Sequence, residues 1–268
     1  MRIVSYNILD GGRGRADPLG EVIEAQRPDV VGLVEADDQA VVRRIAHRLG
    51  MDWIWAAGNA HALAILSRSP IVETINHAQM RPDLSRGLLQ AWVQAGETEI
   101  EVALTHLHPY ASEADEDRRQ EEMELILSLI GSGSTGGERG KQEHHLKETC
   151  VQVLMGDFNS NSPVQQIDPQ KCKPGTRKAW DANGGLLPRR VIQTILNHGF
   201  MDSLEVCDLS SAQSSGTFST QFPGQRVDYI FLRGIERHRI RSAWIEQDRL
   251  AKYASDHFPI GVEITGTT

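Results

Sequence analysis

Long apolar runs are missing from this chain. The longest, Val30 to Val34 and Ala62 to Leu66, fall far short of the roughly 18 residues that a membrane-spanning helix needs. An excess of basic charge is missing too: 28 Lys and Arg face 36 Asp and Glu, a net charge of −8. Proteins that grip long nucleic acids through many phosphates usually carry a basic face, so this composition leans away from such a partner, while still allowing a local basic patch. Cysteine is scarce. Cys150, Cys172 and Cys207 are odd in number and widely spaced, matching neither a zinc site nor a disulfide framework, which points to a reducing, cytoplasmic setting. The opening Met1-Arg2-Ile3-Val4-Ser5-Tyr6-Asn7 reads as a strand rather than the charged tip and apolar stretch of a secretory leader. What is present is globular in composition: 268 residues, 40% hydrophobic and 24% charged. That is enough apolar material for a sizeable core, and the expectation is a single domain over 1–268.

Apolar periodicity sorts the chain into alternating strands and helices without internal repeats. Arg2 to Tyr6 and the Val-rich Asp29 to Val34 read as strands, the second with the continuous apolar pattern of a buried one. Between them Leu19, Val22 and Ile23 repeat at helical spacing, and Val41, Ile45 and Leu49 mark a second helix that Gly50 stops. The period then shifts to two, giving short strands at Trp53 to Ala56, Ala62 to Leu66, Ile71 to Ile75, Leu88 to Ala95 and Glu99 to Leu107. Ser112, with Asp115 three residues on, is placed to cap a helix whose buried stripe is Met123, Ile126, Leu127 and Ile130, leaving Asp115 to Glu122 solvated. A flexible Gly/Ser-rich insertion is expected near 131–149, and a second, long polar one near 160–188 that carries Lys171, Lys173, Arg177 and Lys178. Val151 to Met155, Val227 to Leu232, Ile240 to Ile245 and Pro259 to Ile264 complete the strands, with a helix at Arg190 to Leu196. Strands outnumber helices and many are close enough to be hairpins. That favours sheet packed on sheet with helices outside over a doubly wound parallel sheet.

Short polar stations stand at the ends of these apolar strands. Asn7, Glu35, His106, Asp157 with Asn159, Asp228, and the pair Asp256-His257 all have apolar flanks. Each taken singly also reads as a turn residue or helix cap. Together they are costly to bury unless they pair or hold a cation. Oxygen donors of this kind suit a hard ion such as Mg²⁺ or Mn²⁺, and histidines beside carboxylates suit proton transfer or charge stabilisation. The combination points to metal-assisted attack of water on a phosphate.

The segments Ser5-Tyr6-Asn7-Ile8, Leu33-Val34-Glu35, Thr105-His106-Leu107, Gly156-Asp157-Phe158-Asn159, Arg226-Val227-Asp228-Tyr229-Ile230-Phe231 and Ser255-Asp256-His257-Phe258-Pro259-Ile260 resemble, in order and spacing, the endonuclease/exonuclease/phosphatase superfamily. The resemblance runs from residue 2 to residue 264 and implies a four-layer α/β sandwich, two packed mixed β-sheets flanked by helices. It implies Glu35 as principal metal ligand with Asn7 and Asp256 near the same ion, one or two Mg²⁺ or Mn²⁺ in all. Asp157 would orient or deprotonate the attacking water, and Asn159 would hold a phosphate oxygen. His257, oriented by Asp228, would stabilise charge on the phosphate, and His106 would contact phosphate from the other side or assist the leaving group. Two departures weigh against the abasic-site endonuclease branch: Leu9 stands where that branch has Asp, and His106 where it has Tyr. Thr105-His106-Leu107-His108 is closer to the sphingomyelinase, deadenylase and tyrosyl-DNA phosphodiesterase branches.

The expected activity is therefore hydrolysis of phosphodiester bonds in a small, lipid or nucleotide phosphate ester. Endonuclease or exonuclease action on DNA or RNA is the alternative, and a catalytically silent binding protein a remote one. Arg86 and Arg118-Arg119 are candidates to face the substrate, His144-His145 sits in the Gly-rich insertion, and a monomer is expected.

Overall fold

The computed structural model describes residues 1–131 and 151–266, so most of the Gly/Ser-rich insertion, with His144-His145 and Cys150, lies outside the described residues. In chain order the elements are β1 (Arg2–Asn7), α1 (Ala16–Ala25), β2 (Val30–Val34), α2 (Gln39–Leu49), β3 (Asp52–Ala56), β4 (Leu63–Ser67), β5 (Ile71–Asn76), β6 (Gly87–Ala95), β7 (Thr98–His106) and α3 (Glu113–Gly131). After the insertion come β8 (Val151–Asp157), α4 (Pro174–Ala182), α5 (Arg190–Asn197), β9 (Met201–Asp202), α6 (Ser203–Cys207) and α7 (Leu209–Ser214). The chain closes with β10 (Asp228–Arg233), β11 (Ile240–Ile245), α8 (Arg249–Ala254) and β12 (Ile260–Ile264).

The strands form two six-stranded sheets, ordered β11-β12-β1-β2-β4-β3 and β5-β6-β7-β8-β10-β9. Each sheet is antiparallel except for one parallel pair, β1 with β2 and β7 with β8, and each of those pairs is joined through a connection carrying a helix. Side-chain alternation sorts the strand residues into layers. Ile3, Val102, Val153, Met155, Ile230 and Val262 point between the sheets and form the central core. Tyr6, Val31 and Leu33 point the other way and are covered by Leu19, Ile23, Val42 and Ile45 of α1 and α2. On the second sheet Leu154, Tyr229 and Phe231 are covered by Met123 and Ile126 of α3 and Val191 and Ile195 of α5. Strands buried on both faces read as unbroken apolar runs, and the four-layer α/β sandwich follows from them.

Two local expectations are corrected. The charged half of α3 is not solvated throughout: Glu116, Arg119 and Glu122 are buried. Arg119 Nε donates to Glu116 Oε2 at 2.9 Å, and its Nη1 donates to the carbonyls of His108 at 2.9 Å and Tyr110 at 2.6 Å. Glu116 Oε1 accepts from Ser160 Oγ and from the Val191 amide, and Glu122 accepts from the amides of Ser85 and His108, all at 3.0 Å. Charges inside a helix face survive burial when loops supply their partners. Segment 160–188 is also not wholly loop, since it folds into α4. Pro174 opens that helix where a missing N–H costs nothing, and because the helix fully buries no residue its sequence carries no strong apolar stripe. The Ser112–Asp115 cap on α3 forms as expected, with the Asp115 amide donating to Ser112 Oγ and the Ser112 amide to Asp115 Oδ2.

Candidate active site

The polar stations gather at one end of the two sheets because the strand directions send them there. Asn7 ends β1 and Glu35 follows β2, so the first parallel pair delivers both from its carboxyl end. His106 and Asp157 end β7 and β8 and stand opposite each other in register. β10 runs antiparallel to β8, so its first residue, Asp228, pairs with Asp157. Asp256-His257 arrives just before β12. Several of these corners hold backbone that non-glycine residues seldom adopt. Glu35 has φ 56° and Asn159 φ 50°, with Leu9 and Asp10 at 54° and 49° alongside. Such conformations persist only where the surroundings enforce them, and they cluster at functional sites. Gly156 is required by close approach: a Cβ there would lie 1.9 Å from the Thr105 carbonyl oxygen.

The side chains form one connected array. Asn7 Nδ2 donates to Asp157 Oδ2 at 3.1 Å and to Glu35 Oε1 at 3.3 Å. Glu35 Oε2 accepts the Asp10 amide at 2.9 Å, and Arg86 Nη1 lies 3.8 Å from Glu35 Oε1. Asp157 Oδ2 is 3.5 Å from His106 Nε2 and 3.7 Å from His257 Nε2. His257 Nδ1 bonds Asp228 Oδ2 at 2.8 Å, which fixes the ring. The Asn159 amide donates to Asp157 Oδ1 at 3.0 Å, while its Nδ2 reaches the Leu107 carbonyl at 3.1 Å. Asp256 is tied in through Ser255, whose Oγ donates to the Asn7 carbonyl at 2.7 Å.

Burial divides the charge states of these groups. Desolvation, with Asp228 adding to it against the pull of His257, raises Asp157 to about 7. Burial works against a proton on His257, but the Asp228 and Asp157 carboxylates outweigh it and raise the imidazole to about 10. His106 goes the other way: burial, then the positive charge of Arg86 and the neighbouring His61 and His257, hold it well below the ordinary imidazole range. The arrangement thus offers a carboxylate able to exchange a proton near neutrality, a fixed imidazolium beside it, and a neutral imidazole on the other side.

The residues present fit a divalent cation. Asp228 Oδ1 and Asp256 Oδ1 are buried without a hydrogen-bond partner, and the carboxylates of Glu35 and Asp157 converge on Asn7. An all-oxygen set of Asn7, Glu35 and Asp256 matches the preference of Mg²⁺ or Mn²⁺. Asp157, Asp228 and His257 also bring one ligand atom each to within 4.8 Å of one another. There His257 Nδ1 is engaged by Asp228 while Nε2 faces Asp157, so this cluster offers a cation a mixed nitrogen and oxygen set.

The structure brings Asn7, Glu35, His106, Asp157, Asn159, Asp228 and His257 into contact, and Asp256 to their edge. Of the arginine candidates, Arg86 enters the array, with Nη1 at 3.4 Å from His106 Nδ1, whereas Arg119 is consumed by Glu116 and the 108–110 turn. Four side chains at the site lie outside the motifs read from the sequence. Lys173 Nζ lies 3.2 Å from Asp256 Oδ2 and 3.9 Å over the Phe218 ring, which in turn packs 4.7 Å from His257. His61 pairs with Asp37 and stacks on His106 with ring centroids 5.8 Å apart. Lys173 belongs to a basic segment visible in the sequence, but no motif marks His61, Asp37 or Phe218.

In sequence, residues 4–135 match the model of the Endonuclease/Exonuclease/phosphatase family. Among solved structures it is similar to the 3′ phosphatase NExo from Neisseria bound to a product DNA hairpin, at 18% identity and TM-score 0.71, covering 99% of this chain and 100% of that one. It is similar to an AP endonuclease from Archaeoglobus fulgidus at 21% identity and TM-score 0.69, covering 99% and 100%. D. rerio TDP2 complexed with a single-strand DNA product matches at 20% identity and TM-score 0.65, covering 99% of each chain. At these identities the likeness establishes the fold. Among curated protein sequences none matches significantly. No helix among the described residues is long and apolar enough to cross a membrane.

Proposed function

We propose that the chain is a divalent-metal-dependent phosphodiesterase acting on a small, lipid or nucleotide phosphate ester. The observation that carries this reading is the buried line Asp228–His257–Asp157, which meets Asn7 and Glu35 where the two sheets end. In it Asp157 takes the proton of the attacking water, for which a carboxyl near 7 is well matched. His257, kept charged and aimed by Asp228, stabilises the charge that builds on the phosphate oxygens. Asn159 holds a non-bridging oxygen, and neutral His106 lines the far side of Asp157. Asn7, Glu35 and Asp256 would hold Mg²⁺ or Mn²⁺, whose chemistry there is to neutralise phosphate charge and polarise a P–O bond.

A second reading, cleavage of DNA or RNA, is favoured by Lys173, which brings positive charge from the basic 160–188 segment to the edge of the site. The DNA products bound by two of the similar structures support the same reading.

The test is hydrolysis with Mg²⁺ or Mn²⁺ of bis-p-nitrophenyl phosphate, p-nitrophenyl phosphate, a labelled single-stranded oligonucleotide and sphingomyelin. Metal-dependent diester cleavage is expected, with His257→Ala slower by about a thousandfold. Cleavage of the oligonucleotide far faster than the small esters would select the nuclease reading, and silence on all four would overturn both.

A further inference from the structure

His61 lies on the connection between β3 and β4, and the reaction above gives it no task. Its Nδ1 bonds Asp37 Oδ2 at 2.8 Å, and Asp37 Oδ1 is itself held by the Ala62 amide at 2.7 Å. This is the same arrangement as Asp228 behind His257, repeated on the other side of the site. Between the two dyads the contacts are continuous: Asp37, His61, His106, Asp157, His257, Asp228. The His61 side chain is 23% exposed against 2% for His106, so it is the histidine of that flank that solvent and a ligand can reach. With Nδ1 committed to Asp37, Nε2 is left without a partner among the described residues and turned away from the carboxylate.

The connection that carries His61 is built tightly. A Cβ on Gly58 would sit 2.0 Å from both the Arg86 and the His61 carbonyl oxygens, and the Asn59 amide donates to the Arg86 carbonyl at 2.8 Å. The Ala36 amide, next to Glu35, donates to the Ala62 carbonyl at 2.8 Å. His61 is thereby clamped between the loop of Glu35 and the loop of Arg86.

The histidine that the family motif suggests for the leaving group is poorly placed to give up a proton. His106 has Nε2 toward Asp157 and Nδ1 toward Arg86. Burial and the positive charge of Arg86 keep it neutral.

We propose that His61, oriented by Asp37, is the general acid that protonates the leaving-group oxygen, an inference that rests on the phosphodiesterase reading. As the P–O bond to the leaving group breaks, the proton on His61 Nε2 passes to the departing oxygen and the imidazolium becomes an imidazole that keeps its Nδ1–H on Asp37. The hydroxide of the attacking water stays on phosphorus and its proton goes to Asp157. Asp157 returns that proton to solvent and His61 takes one back, so the cycle closes without another reactant. His106 then serves as the packed surface on which His61 is stacked.

General acids matter in proportion to how badly the leaving group needs a proton. The experiment compares aryl methyl phosphodiesters whose leaving groups run from p-nitrophenol to unsubstituted phenol, with Mn²⁺, for the wild type, His61→Gln and Asp37→Asn. The expected result for His61→Gln is a loss in kcat/KM on the phenyl ester roughly 10- to 100-fold greater than its loss on the p-nitrophenyl ester. Asp37→Asn should show the same selectivity, more weakly. Equal losses across the series in His61→Gln would reduce His61 to a support for His106 and overturn the proposal, and a non-selective Asp37→Asn would overturn the dyad. A wild type that turns over no ester of the series would instead overturn the phosphodiesterase reading, and this proposal with it.

Discussion

Buried between two carboxylates, His257 keeps its proton up to about pH 10, far beyond an ordinary imidazole. Its raised affinity for a proton contributes stability that is fully present below the ordinary imidazole range and is lost as pH rises through about 10. Activity should follow the same charge, with an alkaline limb governed by His257. Asp228→Asn removes the larger of the two carboxylate contributions while preserving shape. It should move that limb toward neutrality and lower kcat/KM by about 10- to 100-fold, both read from a pH–rate profile. A limb that stays in place would mean another group sets it. On the proposed reaction Asp157 sets the opposite limb, and because a divalent cation bound nearby lowers a carboxylate, a pH–rate profile with Mn²⁺ should place that limb below pH 7. At this scale the sequence was informative wherever a polar residue interrupts an apolar strand, as at Asn7, Glu35, Asp157 and Asp228. It was silent on His61 and Asp37, which lie in separate connections and acquire a role only when those connections meet.

Helix α3 does more than cover the second sheet. Through Glu116, Arg119 and Glu122 it holds the loop of Ser160, the turn at 108–110 and the loop of Ser85, each of which adjoins a site residue. Arg119 and Glu116 are 1% and 0% exposed, so losing one partner strands a charge in the interior. Arg119→Met should therefore lower unfolding free energy by about 3–5 kcal/mol in urea denaturation. A loss under 1 kcal/mol would show that the helix does not depend on the pair. Central strands such as β2 were legible because burial on both faces makes them nearly all apolar, and less buried ones such as β5 through their turn-bounded short apolar segments. The helices α6 and α7 were not, since elements of five or six residues carry less than two turns of periodicity. The burial of the α3 charges was hidden for a related reason: helix spacing shows which residues share a face, and says nothing of the loops that will supply their partners.

Taken as a whole, the molecule concentrates Glu35, Asp157, Asp228 and Asp256 where its two sheets converge, against the balancing charge of His257, Arg86 and Lys173. A cation that binds only the folded state adds about 2.7 kcal/mol at a hundredfold excess over its Kd. In a domain of this size that corresponds to a rise in Tm of roughly 5–10 °C with Mn²⁺, reversed by EDTA. Glu35→Ala should abolish most of the rise, and a full rise in that variant would remove Glu35 from the cation site. Sheet on sheet with outer helices could be foreseen from strand count and spacing. The order of strands could not, because it rests on pairings such as Arg2 with Glu263 that join opposite ends of the chain. That pairing also has a meaning in time. A ribosome releases Asn7 and Glu35 well before Asp256-His257, and β1 finds its antiparallel neighbour only when β12 has emerged. Until then the growing polypeptide carries Asn7, Glu35 and Asp157 without the Asp256-His257 pair, so on the proposed reaction chains stalled before β12 should not cut.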